Sequence, residues 1–125
     1  MVSNNIIDIP EKTRVDINLQ KDEIKYLKIN MGNVFEHDTL TSYIYTSLGF
    51  VSVYANVCSE KNIRMPTKEE YDFSFGILET QLRSETIKRK YDEKEIEIDE
   101  KTNPFLCLVA VSDENSKFSI EYTSE

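Results

Sequence analysis

Short runs in which apolar and polar residues alternate are the feature that most constrains the fold of this chain. In the run 15–19, Val15, Ile17 and Leu19 alternate with polar residues. Successive side chains of an extended strand point to opposite faces, so this pattern is typical of a strand with one buried face. Similar alternation recurs in 24–31, 71–75, 95–99 and 118–122. The runs 51–58 and 104–111 are apolar on both faces, which predicts central strands.

These runs amount to seven or eight short strands with almost no amphipathic helix. Such strands cannot all bury an apolar face in a single sheet, so two sheets must pack face to face. We therefore expect an all-β fold, an antiparallel two-sheet β-sandwich of the jelly-roll-like kind, with room for one short helix near 77–90. A length of 125 residues suits one domain. We expect a polar N-terminal arm over 1–12 and a single β-sandwich domain over 13–125.

The links between the runs predict how the strands connect. The polar links 20–23 and 112–116 each join two adjacent runs, which indicates two hairpins. Gly49 is expected to divide the long apolar stretch 42–58. The stretch 95–99, with Ile96 and Ile98 inward, is expected to be a solvent-facing edge strand. The pattern of the stretch 77–94 is compatible with both a helix and an extended segment. Leu82 suits a short helix, whereas Ile87 suits an extended segment.

The charge and hydropathy of the chain exclude several kinds of partner. A formal net charge of −8 repels phosphate, which argues against nucleic acid and anionic membrane surfaces. No apolar run approaches the ~20 residues of a membrane span, so we expect no membrane insertion. A signal peptide has a basic segment followed by a long apolar segment, and the first residues of this chain have neither. We therefore expect a cytoplasmic protein or one within an intracellular assembly, and a secreted one if the chain is a processed fragment.

No combination of residues predicts catalysis, a metal site or a cofactor. His37 is the only histidine, and no nucleophile motif accompanies it. Cys58 and Cys107 lack a Cys-x-x-Cys spacing and are expected to be small buried residues. They could form a disulfide only if their strands are neighbours and the compartment is oxidising. In a strand, the acidic residues at positions 95, 97 and 99 would stand in a row with about 7 Å between neighbours. Carboxylates in such a row do not converge on one point, so they cannot enclose a calcium ion. We expect no enzyme activity, no cofactor and no metal.

The order of the runs resembles one known family, the bacterial pre-peptidase C-terminal (PPC) domain. The stretch RVDINLQKDEIKYLKINM is similar to its opening pair of strands, and VSVYA to the strand that follows. Pro66 and the pair Tyr71 and Asp72 look like its connecting loop, and FLCLVAVSDENSKFSIEY is similar to its closing hairpin. The resemblance spans roughly residues 12–123. It implies a jelly-roll-like β-sandwich that serves as an accessory module of a secreted protein. The Asp-x-Asp stretch common in that family is missing, so no ligand or calcium site is carried over.

The function that these observations favour is binding to other proteins. We expect a non-catalytic protein–protein interaction module, a small structural subunit or accessory domain of a larger assembly, whose small-molecule ligands, if any, are unknown. The alternative is a secreted module that targets a carbohydrate or another substrate. The one locally positive stretch offers a docking surface for an acidic partner. Its residues, here called the basic cluster, are Arg83, Lys88, Arg89 and Lys90.

Aromatic residues provide a second candidate surface. Tyr43, Tyr45 and Tyr54 belong to the long apolar stretch, and the row 71–75 adds Tyr71, Phe73 and Phe75. Buried core is the first interpretation of these rings. The other is an exposed platform for a sugar or a protein, because tyrosine combines a large contact area with a polar tip.

Overall fold

The computed structural model describes residues 5–125 and contains nine strands, one α-helix and one short 3-10 helix. The 3-10 helix is Val34–Glu36 and α1 is Ser84–Glu93. The strands are β1 (Ile6–Asp8), β2 (Val15–Leu19), β3 (Ile24–Asn30), β4 (Thr39–Leu48), β5 (Ser52–Cys58), β6 (Phe73–Phe75), β7 (Leu78–Arg83), β8 (Phe105–Val111) and β9 (Ser116–Ser124).

The strands form two sheets whose inner faces share one hydrophobic core, so the predicted β-sandwich is confirmed. The five-stranded sheet has the order β1-β3-β8-β5-β6 and the four-stranded sheet the order β2-β9-β4-β7. All pairs are antiparallel except β1 with β3, which is parallel. The most buried residues of both sheets, among them Leu27, Leu108 and Ile120, meet in this core.

The alternation in the sequence assigned the buried face of most strands correctly. Ile17 and Leu19 of β2 are buried, and so are Phe118, Ile120 and Tyr122 of β9. The division at Gly49 is also confirmed, since β4 ends at Leu48 and β5 begins at Ser52. β5 and β8 each lie between two other strands, as their continuous apolar runs predicted.

Both predicted hairpins are wrong. β2 and β3 lie in different sheets, and so do β8 and β9, so the links 20–23 and 112–115 cross from one sheet to the other. The link 49–51 between β4 and β5 also crosses. Hydrogen bonds join the links 20–23 and 112–115 to each other, and the link 49–51 to the first residue of β9, at one end of the sandwich. Asp22 N donates to Ser112 O at 3.0 Å, and Phe50 N donates to Ser116 Oγ at 3.1 Å. A short polar link suits a crossing as well as a hairpin, because strand partners are chosen by long-range packing.

The edge strand predicted for 95–99 is absent from the described residues, because the residues that cap the C-terminus of α1 take its first positions. Glu95 has φ +56°, and Ile96 N donates to Tyr91 O at 3.0 Å. These are the left-handed residue and the long backbone hydrogen bond that terminate many helices. Ile96 is buried as expected, whereas Ile98 is exposed.

Residues 77–94 contain both structures that the sequence left open, in the opposite order. Leu82 lies in strand β7, whereas Ile87 lies in α1. Ile87 and Tyr91, four residues apart, form the buried side of the helix, and this pairing outweighs the weak helix propensity of a β-branched residue.

The predicted N-terminal arm lies partly within the described residues. Residues 1–4 are outside them. Residues 6–8 form β1, which pairs with β3, and Ile9 is buried in the core. The arm therefore adds an edge strand to the five-stranded sheet, although it carries too little alternation to be recognised as one.

Candidate functional site

The outer face of the five-stranded sheet, turned away from the four-stranded sheet, carries the candidate site. Side chains of β3, β8 and β5 form rows across this face because the three strands are neighbours in register. Four such rows follow one another from one end of the strands to the other: Asn30–Phe105–Cys58, Lys28–Cys107–Asn56, Tyr26–Val109–Tyr54 and Ile24–Val111–Ser52.

The β8 and β5 residues of the first two rows are covered by the connection between β5 and β6, residues 59–72, here called the covering segment. Met65 packs against a separate cluster formed by Cys58, Phe105 and Cys107, all buried. The ammonium group of Lys28 lies 4.4 Å from the centroid of the Phe105 ring. Over β8 and β5, this half of the outer face is therefore closed by the chain itself, whereas Asn30 of β3 is exposed.

A polar network anchors the covering segment to β5. The Asp72 carboxylate accepts hydrogen bonds from Val57 N at 2.9 Å and from Arg64 Nη1 at 3.0 Å. The Asn56 side chain donates to Arg64 O at 2.8 Å, and its oxygen accepts from Asp72 N at the same distance. Asp72 is only 5% exposed, so its charge depends on Arg64 for compensation. The segment is thus fixed where it covers the β8 and β5 residues of the first two rows.

The two cysteines lie beneath this segment, in neighbouring strands and as free thiols. A hydrogen bond with Cys58 and burial raise the pKa of Cys107 above its ordinary value. The Cys58 sulfur also accepts a hydrogen bond from Arg64 N at 3.2 Å. The thiols therefore belong to the buried support of the covering segment.

The other two rows remain open and form an apolar groove of about 620 Å³, here called the outer groove. Val109 is its buried floor, with Tyr26 and Tyr54 on either side and Met65 and Pro66 of the covering segment as one wall. The ring of Tyr54 is stacked on that of Tyr71, with centroids 4.6 Å apart. The volume lies within the range of about 300–1,000 Å³ that is usual for binding pockets.

Two large apolar side chains stand exposed at the mouth of the outer groove. Phe50 is 57% exposed and Ile24 is 51% exposed, and both line the groove. Phe50 is held by its backbone, because its N–H donates to Ser116 Oγ and its carbonyl accepts from the same hydroxyl. The exposed ring is therefore presented by a fixed link.

The rim of the outer groove is acidic. Its charged residues are Asp22, Glu23, Lys68, Glu69 and Asp113. Asp22, Glu23 and Asp113 belong to two of the links that cross between the sheets. The hydrogen bond from Gln20 N to the Glu23 carboxylate is the main cause that lowers the pKa of Glu23. Its charge is therefore retained at neutral pH.

The predicted basic cluster lies elsewhere, at the end of β7 and along α1. Each helical member has a neighbour: Arg89 pairs with Glu85 at 3.2 Å, and Lys90 pairs with Glu93 at 2.9 Å. Lys88 Nζ lies 5.7 Å from the centroid of the Phe35 ring. Acidic neighbours thus offset part of the positive charge that the sequence had suggested.

The other residues singled out in the sequence are dispersed. Tyr54 lines the outer groove, and Tyr71 contacts its ring from outside the lining. Phe75 is buried in the core, and Tyr45 lies beneath Arg14 on the four-stranded sheet. His37 is exposed, with Nδ1 2.9 Å from Asn33 O. Within residues 5–125, no group of three or more histidine, cysteine, aspartate or glutamate residues could hold a metal ion.

Sequence reasoning missed Tyr26, Ile24 and Phe50 as site residues. Tyr26 and Ile24 occupy the polar positions in the alternation of β3, opposite to Leu27 and Ile29. An apolar residue at such a position is a signal of a second contact surface, and it was available in the sequence.

Comparisons with protein-family models, with curated proteins and with solved structures give no match. None of the helices within residues 5–125 is long and apolar enough to cross a lipid bilayer.

Proposed function

We propose that this chain is a non-catalytic module that binds a segment of another protein in the outer groove. The observation that carries the proposal is the pair of exposed apolar side chains at the mouth, Phe50 and Ile24, beside a floor that is already apolar. Aromatic residues and methionine are enriched at protein interfaces, and Tyr26, Tyr54 and Met65 add both kinds to the groove.

The exposed mouth favours a protein segment over a small molecule. A small ligand would rest on Val109 and Tyr54 and leave Phe50 largely in water. A peptide that runs across the groove would cover Phe50 and Ile24 together, and removing this apolar surface from water stabilises the complex. The floor is apolar and the ionisable groups lie on the rim, which suits recognition better than chemistry.

A library of short random peptides displayed on phage tests this proposal with the intact protein. We expect selected peptides to bind the wild type and to lose about tenfold or more in affinity for the double variant Ile24→Ser/Phe50→Ser. The matched control is Leu48→Ser/Ile63→Ser, because these side chains are 51% and 56% exposed but do not line the groove. The control should retain its affinity within about twofold.

Three outcomes would reject the proposal: no peptide is selected, both double variants bind equally well, or amide chemical shifts change elsewhere than at the groove. A carbohydrate-targeting module remains the alternative, in keeping with the PPC resemblance, because sugars also bind on aromatic rings. A glycan array decides between them, since binding of a glycan with no selected peptide would favour the alternative.

The basic cluster is a second surface that the same assay can test. Lys88→Glu, Arg89→Glu and Lys90→Glu together reverse its charge. If the cluster steers an acidic partner, the affinity for an acidic peptide falls in this triple variant, and the loss shrinks at high salt. The thermal stability of the variant stays nearly unchanged. Unchanged affinity for that peptide at low salt would reject the basic cluster as a docking surface.

A further inference from the structure

We propose that the segment bound in the outer groove is basic and is anchored by the side chain of a lysine or arginine. This inference rests on the proposed function and names the chemistry of its partner. It follows from the combination of an apolar aromatic floor with a rim of carboxylates.

The charge of the groove differs from that of the chain as a whole. The lining carries Asp22, Glu23, Glu69 and Asp113 against Lys68, a net charge of −3. Lys25, outside the lining, pairs with Glu23 at 3.5 Å, so Asp22, Glu69 and Asp113 carry most of the acidic excess. The whole chain has 23 acidic and 15 basic residues, so the acidic excess of the groove is much larger than average. A cationic segment is complementary to such a rim, and a segment rich in acidic residues would be repelled.

The fold holds the backbone that carries Asp22 and Asp113 at one end of the groove. Asp22 N donates to Ser112 O at 3.0 Å, and Lys21 N donates to the Asn115 side chain at 2.9 Å. These bonds join the links 20–23 and 112–115, and they bring Asp22 and Asp113 to the same opening. Because this backbone is fixed before binding, only the two short side chains have to be ordered when a cation binds, which lowers the cost of binding.

The aromatic floor suits the same ligand. A lysine or arginine combines an apolar stem, which can lie along Tyr26, Tyr54 and Val109, with a charged head that can reach the carboxylates. Aromatic faces also attract cations. This chain shows such contacts internally, with Arg14 over Tyr45 at 5.2 Å and Lys28 over Phe105 at 4.4 Å. One side chain can therefore use both features of the groove.

The experiment uses the peptides selected on the wild-type protein and a second pair of variants. Asp22→Asn/Asp113→Asn removes two charges of the groove, and asparagine tolerates the positive φ of +62° at position 22. Glu97→Gln/Glu100→Gln is the control, because it removes two exposed charges that do not line the groove. Affinity is measured by calorimetry at about 0.1 M and about 1 M salt, which shortens the screening length from about 10 Å to about 3 Å.

We expect lysine or arginine at one recurrent position of the selected peptides. Affinity should fall about tenfold at low salt in the groove variant and less than about twofold in the control. Replacing the recurrent lysine or arginine with glutamine should cause a similar loss on the wild type, and no additional loss on the groove variant.

The result that overturns the inference is distinct from the one that overturns the proposed function. Peptides without a recurrent basic residue, whose affinity depends on Ile24 and Phe50 but not on Asp22 and Asp113, would refute the basic anchor and leave the binding module standing. Basic peptides that bind the Ile24→Ser/Phe50→Ser variant as well as the wild type would refute both.

Discussion

Replacing Tyr91 with phenylalanine should destabilise the protein at neutral pH and lose its effect in strong alkali. The Tyr91 hydroxyl is completely buried and lies 2.8 Å from the carbonyl oxygen of Cys58 and 2.9 Å from that of Phe105. The single proton of the hydroxyl is therefore shared between two carbonyl groups at the ends of β5 and β8, and it ties α1 to the five-stranded sheet. Phenylalanine keeps the ring in place and removes only this polar contact.

The magnitude follows from what remains buried. The variant loses one hydrogen bond, worth about 0.5–1.5 kcal/mol net, and leaves two buried carbonyl groups without that donor, so we expect a loss of about 1–3 kcal/mol at pH 7. Burial raises the pKa of Tyr91 well above the unfolded value of about 10. The contribution of the neutral hydroxyl is thus fully present below pH ~10. Above it, the unfolded chain ionises while the folded one does not, and the wild type loses up to about 1.4 kcal/mol per pH unit.

Urea unfolding at a series of pH values measures both effects. The difference in unfolding free energy between wild type and Tyr91→Phe should be about 2 kcal/mol at pH 7 and should approach zero about one and a half units above pH 10. The raised pKa values of Tyr43 and Tyr122 affect the unfolding free energy of both proteins equally, so they cancel in the difference. Tyr71→Phe, at an exposed position, is the control and should stay within about 0.5 kcal/mol. A difference below that value at pH 7, or one that widens in alkali, would refute the reasoning.

Three further substitutions test the packing. Phe118→Ala should cost about 3–5 kcal/mol in urea unfolding, because Phe118 is buried between the sheets, and a loss under about 1 kcal/mol would mean that its face is wrongly assigned. Asp72→Asn should cost about 2–4 kcal/mol, because it removes the charge that compensates Arg64. It should also speed the alkylation of Cys58, because the covering segment is loosened. An unchanged alkylation rate would argue against Asp72 as the anchor. Gly49→Ala should cost about 1–3 kcal/mol, because φ is +73° and the added carbon would collide with the hydroxyl of Ser116. Gly32→Ala is its control and should be nearly neutral, because the added carbon meets no atom within 4 Å.

Much of the candidate site was out of reach of the sequence. Tyr54 was recognised as a candidate platform because of its place in an aromatic run. Its neighbours in the row, Val109 and Tyr26, come from positions far along the chain, and only the register of β3, β8 and β5 brings them together. The acidic rim likewise needs two links that are distant in sequence to meet at one end of the sandwich. The basic cluster was visible as a run, but the pairing of Arg89 with Glu85 depends on the helix, which the pattern did not resolve.

The sequence by itself determined which side of most strands faces the core, because the two-residue period of a strand is a local property that a few consecutive residues express. It also determined that two sheets must pack together, since seven or eight strands with apolar faces cannot all bury those faces in a single sheet. Only the tertiary structure decided which strands pair, that the short links cross between sheets, that Tyr91 ties α1 to β5 and β8, and that the covering segment lies over part of the outer face. Those choices depend on contacts between residues far apart in the chain. The free energy of such contacts comes from packing and from buried hydrogen bonds, which a local pattern does not contain.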